Sequence, residues 1–203
     1  MTYIILSKMI DETILREYGA VERYLTKGEI LFVEGETPVF YYQVLSGTMK
    51  MNNYNENGNE TIQAIFTEGQ SFGEPAILGR FPFPANAEAI GNTRLICLEK
   101  NRLIEMLKAH PAICIELLSV ISKRLQFKTM IAKEISGHEA EHRVLTLLNY
   151  LKTNAKSDGE FQVNITRQTI ANLVGLRVET VIRAIGELKK NAIIEVRNRK
   201  IYL

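Results

Sequence analysis

Ile165-Thr166-Arg167-Gln168-Thr169-Ile170-Ala171-Asn172-Leu173-Val174-Gly175-Leu176-Arg177-Val178-Glu179-Thr180-Val181-Ile182-Arg183 is the stretch on which the reading of this chain turns. It predicts two short helices around a glycine turn. Thr166 suits the N-cap of the first helix, because its hydroxyl can accept from an open backbone N–H. Thr169 stands where a full capping box has Glu or Gln, so the cap is one-sided. Val181, Ile185 and Leu188 recur at i, i+4 and i+7 and should face a core, with Glu179 and Arg183 together on the opposite face. A helix-turn-helix has this layout, and its second helix enters the major groove of DNA. Arg183 can donate two parallel hydrogen bonds to guanine O6 and N7, and Glu179 can accept from cytosine N4. Arg167, Gln168, Arg177 and Thr180 lie at helix N-termini, where side chains and amides suit phosphate oxygens. Alone, Glu179 and Arg183 would read as a surface i,i+4 ion pair; the turn before them is what assigns them to bases.

The charge balance agrees with that placement. The formal net charge is +2, but residues 1–137 carry 14 Lys/Arg against 16 Asp/Glu, whereas residues 138–203 carry 11 against 7. Positive charge is therefore in excess on the segment that would meet phosphates. With 203 residues there is room for one large domain or two small ones. The two cysteines, Cys97 and Cys114, exclude a disulfide scaffold and the usual zinc spacings. No apolar run approaches membrane-spanning length. Thr2–Leu6 is short, and Lys8, Asp11 and Glu12 follow closely, so it is not read as a secretory signal. A soluble, cytoplasmic protein is the expectation.

Asp11 to Tyr18 predicts a short helix. From Val21 to Leu98, glycines separate short aromatic and β-branched runs such as Phe40-Tyr41-Tyr42-Gln43-Val44-Leu45 and Thr93-Arg94-Leu95-Ile96-Cys97-Leu98. Evenly spaced short strands with glycine turns predict a barrel or sandwich. Asn57-Gly58 is a type I′ hairpin signal.

After Leu98 the period becomes helical. Lys100–Lys108 is a short helix, and Pro111 opens a long one running to about Ser136, with proline in the first turn where no N–H is missed. The long helix has two apolar stripes, Leu117, Leu118, Ile121, Leu125 and Ile113, Val120, Phe127, Ile131, Ile135. Both could be buried within one subunit. The reading adopted packs one on the β-domain and gives the second, centred on Val120, Phe127 and Ile131, to the same helix of a second subunit. Ser136-Gly137 is the expected hinge. A helix from Glu139 to about Thr153, a polar loop over Asn154–Gly159 and a two-stranded wing over Ile193–Arg197 and Lys200–Leu203, turning at Asn198, complete the chain.

Ile-Thr-Arg-Gln-x-Ile-x-x-x-Val-Gly-x-x-x-Glu-Thr-Val-x-Arg over 165–183 resembles the DNA-binding domain of the cyclic-AMP receptor / fumarate-nitrate-reduction regulator (CRP/FNR) family. The resemblance extends over nearly the whole chain. Phe72-Gly73-Glu74 with Ala85 to Ala89 is similar to the family's phosphate-binding cassette, and Gly47 matches another family glycine. The implied fold is α+β: a jelly-roll-like β-roll sensor over 1–110, a dimerisation helix over 111–136 and a winged helix-turn-helix over 137–203. The resemblance also implies a homodimeric transcription regulator that binds palindromic double-stranded DNA and meets RNA polymerase. Its base-reading Glu and Arg fall on Glu179 and Arg183, and a half-site with a GA step is implied. Val178 stands where the cyclic-AMP branch has arginine, so this reader is closer to the other branch.

An effector pocket is expected at Phe72, Gly73, Glu74, Phe83, Pro84 and Ala85, with Ile77 and Leu78 in its wall. The cyclic-nucleotide branch holds the phosphate with an Arg-Ser pair, and here those places are Phe83 and Pro84. Phenylalanine cannot neutralise phosphate, and proline has neither hydroxyl nor N–H to donate. Glu74, which in the family contacts ribose, is expected to be structural and to accept from turn amides. Lys128 and Thr129 stand near where that branch completes its purine contact. Cyclic AMP is thus not the expected ligand; an apolar or uncharged small molecule is, or none. Two cysteines cannot supply an iron–sulfur cluster from one chain. His110 near the long helix reads as a satisfied or solvated side chain and not as a haem ligand. His138 and His142 could share a helix face and hold a metal, but beside a hinge they are read as a solvated polar face, so no metal is expected. An oxygenase or isomerase on a β-roll needs two or three histidines facing its interior. No histidine precedes His110, so no enzymatic activity is expected. The remaining alternative is a regulatory module whose winged helix binds a protein.

Overall fold

The computed structural model describes residues 10–56, 58, 60–155 and 159–203, the side chains of 135, 136 and 154 excepted. Thr2–Leu6, Asn57 of the hairpin signal and part of the 154–159 loop lie outside the described residues. Helix α1 (Glu12–Glu17) is capped by Asp11, whose carboxylate accepts from the Thr13 N–H at 2.8 Å. Strands β1 (Val21–Leu25), β2 (Ile30–Phe32), β3 (Phe40–Ser46), β4 (Thr48–Tyr54), β5 (Glu60–Thr67) and β6 (Ser71–Phe72) follow. Helix α2 (Glu74–Gly79) precedes β7 (Asn86–Ala89) and β8 (Thr93–Glu99). They form two antiparallel sheets, β1-β8-β3-β6 and β2-β7-β4-β5, the jelly-roll-like β-roll.

The alternation of side chains explains both layers. Leu95 and Cys97 of β8, with Tyr42 and Val44 of β3, point between the sheets to meet Phe32, Met49, Phe66 and Phe72. Ile96, Leu98 and Tyr41 point the other way and meet helices through Leu15, Leu103, Met106, Leu117 and Val120. A strand buried on both faces reads as a continuous apolar run, as 95–98 does. Gly47 joins β3 to β4 at φ +91°; a Cβ there would meet Asn92 O at 2.5 Å and Thr93 Cα at 2.7 Å, so only glycine fits.

Helix α3 (Lys100–Ala109) leads through His110 into α4 (Pro111–Gly137), the long helix, with Pro111 in its first turn. Helix α5 (Ala140–Asn154), strand β9 (Gln162–Val163), helices α6 (Arg167–Val174) and α7 (Val178–Lys190), and strands β10 (Glu195–Arg197) and β11 (Lys200–Tyr202) follow. Strands β10 and β11 are the wing, turning through Asn198 (φ 48°) and Arg199 (φ 62°). Two successive positive φ values suit a tight hairpin turn. The sheet has a third strand, β9, on the far side of β11.

The two stripes expected on α4 are sorted differently. Leu117 and Val120 are buried against the β-roll and α3, while Phe127 and Ile131 are buried in the core formed with α5, α6 and α7. Val120, Phe127 and Ile131, expected to face a second subunit, are thus already covered within one, at 3%, 6% and 8% exposure. The open apolar side chains are Ile115, Leu118 and Leu125, at 68%, 55% and 65%. Apolar residues occupy most of this helix's circumference, so periodicity alone could not say which face packs on which neighbour.

Candidate nucleic-acid interface and effector pocket

The Thr166 hydroxyl accepts from the Thr169 N–H at 3.0 Å, and the two hydroxyls lie 2.8 Å apart. The cap is one-sided, as expected: the Thr169 side chain meets the Thr166 hydroxyl and does not take the cap's own N–H as a Glu would. Gly175 takes φ 65°, and the Leu176 N–H donates to Ala171 O at 2.9 Å, closing α6 in the left-handed conformation that starts the turn. Val181, Ala184, Ile185 and Leu188 bury one face of α7. Glu179, Ile182, Arg183 and Gly186 lie on the outer face, all exposed. Among the described residues no salt bridge joins Glu179 to Arg183, and Arg177, Arg183, Arg199 and Lys200 are in none.

Arg177 is the exposed N-cap of α7, and Thr180 is half-buried one turn on. Arg167 donates Nη1 to Arg199 O at 2.6 Å, tying the start of α6 to the wing turn. Gln168 Nε2 donates to Asn172 Oδ1 at 2.8 Å. Arg197 differs from its neighbours: it pairs with Glu160 and Glu195 and lies 4.1 Å over the Tyr202 ring. Its charge is locally satisfied, whereas the charges of Arg177, Arg183 and Arg199 remain open to an external anion.

A second feature lies between the β-roll and α4. It is a cavity of about 480 Å³, walled by β5 from Gln63 to Phe66, by the α2 region and by α4 from Ile121 to Lys128. Of the expected lining, Phe72, Gly73, Phe83, Pro84 and Ala85 contribute. Glu74 does not. It is fully buried, and its Oε1 accepts from Ser71 Oγ at 2.6 Å and from Arg124 Nη1 at 2.7 Å. Its donors are a hydroxyl and a guanidinium in place of the expected turn amides. Ile77 faces the helical cluster instead, and Leu78 is 39% exposed. Phe83 stacks on Phe32 with centroids 3.6 Å apart and planes 10° apart, so the cassette's tip presents an aromatic face where a phosphate would need donors.

Arg124 was not singled out by sequence reasoning. It donates Nη2 to Ser71 O at 2.8 Å and sits 5.2 Å over the Phe66 ring. In the run Ile121-Ser122-Lys123-Arg124-Leu125 nothing distinguishes it from Lys123 beside it. Lys128 donates Nζ to Gln63 Oε1 at 2.9 Å, and desolvation of its ammonium against the cavity wall lowers its pKa. Thr129 does not reach the cavity: its hydroxyl donates to Leu125 O on its own helix. Helix α6 lies against β5, so one strand touches both the cavity and the first helix of the turn motif.

Both regions of the chain are similar to known proteins. Residues 22–110 match the family described as cyclic nucleotide-binding domain, and residues 142–203 match the Crp-like helix-turn-helix domain. The fumarate and nitrate reduction regulatory protein of Vibrio cholerae is 29% identical over 182 residues, covering 87% of this chain and 72% of that protein. The transcriptional activator protein Anr of Pseudomonas protegens is 26% identical over 185 residues, covering 89% and 75%. Among solved structures, FixK2 from Bradyrhizobium japonicum is 25% identical with a TM-score of 0.73, covering 91% of this chain and 92% of that one. A CooA mutant from Carboxydothermus hydrogenoformans, 19% identical with a TM-score of 0.79 over 95% and 85%, shares the fold.

Proposed function

Because the chain belongs to the CRP/FNR family of helix-turn-helix transcription regulators, we propose that it acts as a homodimer on palindromic DNA, reading bases with Glu179 and Arg183. The observation that carries this reading is the outer face of α7. An acid and a guanidinium one turn apart stand exposed and unjoined, beside cations with no salt bridge. Arg167, Gln168, Arg177 and Thr180 serve phosphate oxygens and set the register. A twofold pair of such helices matches two half-sites about 34–36 Å apart, each with a GA step.

The subunits join along α4. Ile115, Leu118, Ser122, Leu125, Thr129 and Ala132 are all exposed and follow a heptad pattern, which supports a two-stranded seam. RNA polymerase is the further partner. The β-roll binds an apolar or uncharged small molecule and not cyclic AMP; the aromatic stack at Phe83 and the absence of a donor at Pro84 support this. Occupancy acts through the two cavity walls. Helix α4 runs from the cavity to Gly137, and β5 runs from the cavity to α6. A ligand that favours one packing of these walls shifts the orientation of the paired α7 helices.

Selection of bound sequences from random duplex DNA, with and without cell extract, tests the reading. Inverted repeats with a common GA step are expected, with affinity falling as salt rises. An unenriched pool under both conditions rejects it. Calorimetric titration tests the effector: micromolar binding of cyclic AMP or cyclic GMP would refute that part.

A further inference from the structure

The break between α4 and α5 brings together three side chains that could bind a metal. His138 and His142 read in the sequence as a pair on one helix face. In the structure His138 is the C-cap of α4, with extended backbone (φ −129°, ψ 154°), and belongs to neither helix. The third group is Glu134, one turn earlier on α4. One donor atom from each of Glu134, His138 and His142 lies within 4.8 Å of the others. His142 Nε2 is 2.9 Å from Glu134 Oε2, and the two imidazoles stack with centroids 4.2 Å apart.

We propose that Glu134, His138 and His142 bind a divalent transition-metal ion of the zinc class at this break. Two imidazole nitrogens and one carboxylate oxygen are the donor set of open zinc sites, which leave the fourth position to water. Calcium and magnesium demand more oxygen ligands than the cluster offers. At bond lengths near 2.0–2.1 Å, tetrahedral donors stand roughly 3.3 Å apart. Glu134 Oε2 and His142 Nε2 stand 2.9 Å apart and no pair of donors is more than 4.8 Å apart, so the three need only small adjustments to reach that spacing. Both histidines are exposed.

The surroundings support the assignment. Glu134 is only 7% exposed, and its Oε2 has a weak further contact with Thr146 Oγ1, at 3.4 Å. A carboxylate so buried calls for a cation. Arg143 Nε donates to the His138 carbonyl at 2.9 Å, holding the main chain of the break while leaving the imidazole to the metal. The ligands come from α4, from the break and from α5. Bound metal therefore staples the long helix to the first helix of the DNA-binding domain and stiffens the junction at Gly137.

The test uses the full chain, stripped with a chelator and without DNA, so its outcome is independent of the DNA-binding reading. Calorimetric titration with zinc chloride should give one ion per subunit, and cobalt(II) should give the visible absorption of a low-coordinate nitrogen-oxygen site. The variants His138→Gln and His142→Gln should each weaken zinc binding about tenfold or more. Zinc should raise the thermal midpoint of the wild type and not of the double variant, each compared with its own metal-free midpoint. Absence of stoichiometric binding by the wild type overturns the proposal. So does unchanged affinity in the double variant, which would place the ion elsewhere. If the double variant fails to fold, Glu134→Gln replaces it under the same two criteria.

Discussion

Arg124 on α4 donates Nη1 to Glu74 Oε1 on α2 at 2.7 Å, joining the long helix to the β-roll at the cavity's edge. Glu74 is completely buried, and its Oε2 has no partner among the described residues. Removing the guanidinium leaves a buried carboxylate with one hydroxyl donor. Breaking such a pair typically costs about 3–5 kcal/mol. Arg124→Ala should lower urea stability by roughly that amount, and adding Glu74→Gln should recover part of the loss, because the two residues are coupled. Strictly additive losses would show that the pair does not hold α4 to the β-roll.

The seam proposed on α4 makes a separable prediction. Leu118 and Leu125 are 55% and 65% exposed in one subunit, so Leu118→Glu and Leu125→Glu should leave circular dichroism unchanged. Sedimentation equilibrium should show them as monomers. Val120→Glu should instead unfold the protein, since it places a charge in the core against the β-roll. A Leu118→Glu/Leu125→Glu variant that stays dimeric would move the interface elsewhere.

Local signals in the chain already specified the reading head. Thr166, Gly175 and the Val181/Ile185/Leu188 repeat act over a few residues, and each behaves in the structure as its chemistry demands. The β-roll was legible as a class, from glycine turns and the doubly buried run 95–98. Pairings such as β3 with β8 join residues 40–46 to 94–99 and have no short-range signal. The misassigned face of α4 has the same origin: Val120 and Leu118 are equally apolar, and only the placement of α3 and α5 decides which is covered. Arg124 and Glu74 are 50 positions apart, and Glu134, one turn before His138, meets His142 only because the helix breaks after Gly137.

Burial pushes the Cys97 thiol up to about 11, with Arg23 pulling the other way. An unfolded cysteine ionises near 8.5. Between these values the unfolded chain has lost a proton that the folded chain retains, so stability must fall as pH rises. At about 1.4 kcal/mol per unit, the loss approaches 3 kcal/mol by pH 11. Burial holds Tyr42 up to about 12 and Tyr41 higher still, which steepens the fall above pH 10. Urea titrations at pH 7.5, 9 and 10 should show the decline, and Cys97→Ala should flatten its first part. An unchanged slope in that variant would exclude Cys97 as the source.

Arg183 and Arg167 separate the two kinds of DNA contact. Arg183 is exposed on the outer face of α7, while Arg167 is at the start of α6 and bound through Nη1 to Arg199 O. A side chain paired with guanine should discriminate: Arg183→Ala should cost about 1–3 kcal/mol on the selected site and relax preference at one base pair of each half-site. A phosphate contact should not discriminate. Arg167→Ala should weaken all sequences alike and lower the salt slope by about one ion per subunit. Loss of its bond to the wing adds a small sequence-independent loss in the same direction. Fluorescence polarisation on the selected duplex and on one altered at the GA step distinguishes the two. Equal losses on both duplexes for Arg183→Ala would remove it from the base readers and leave the groove to be read by other residues of α7.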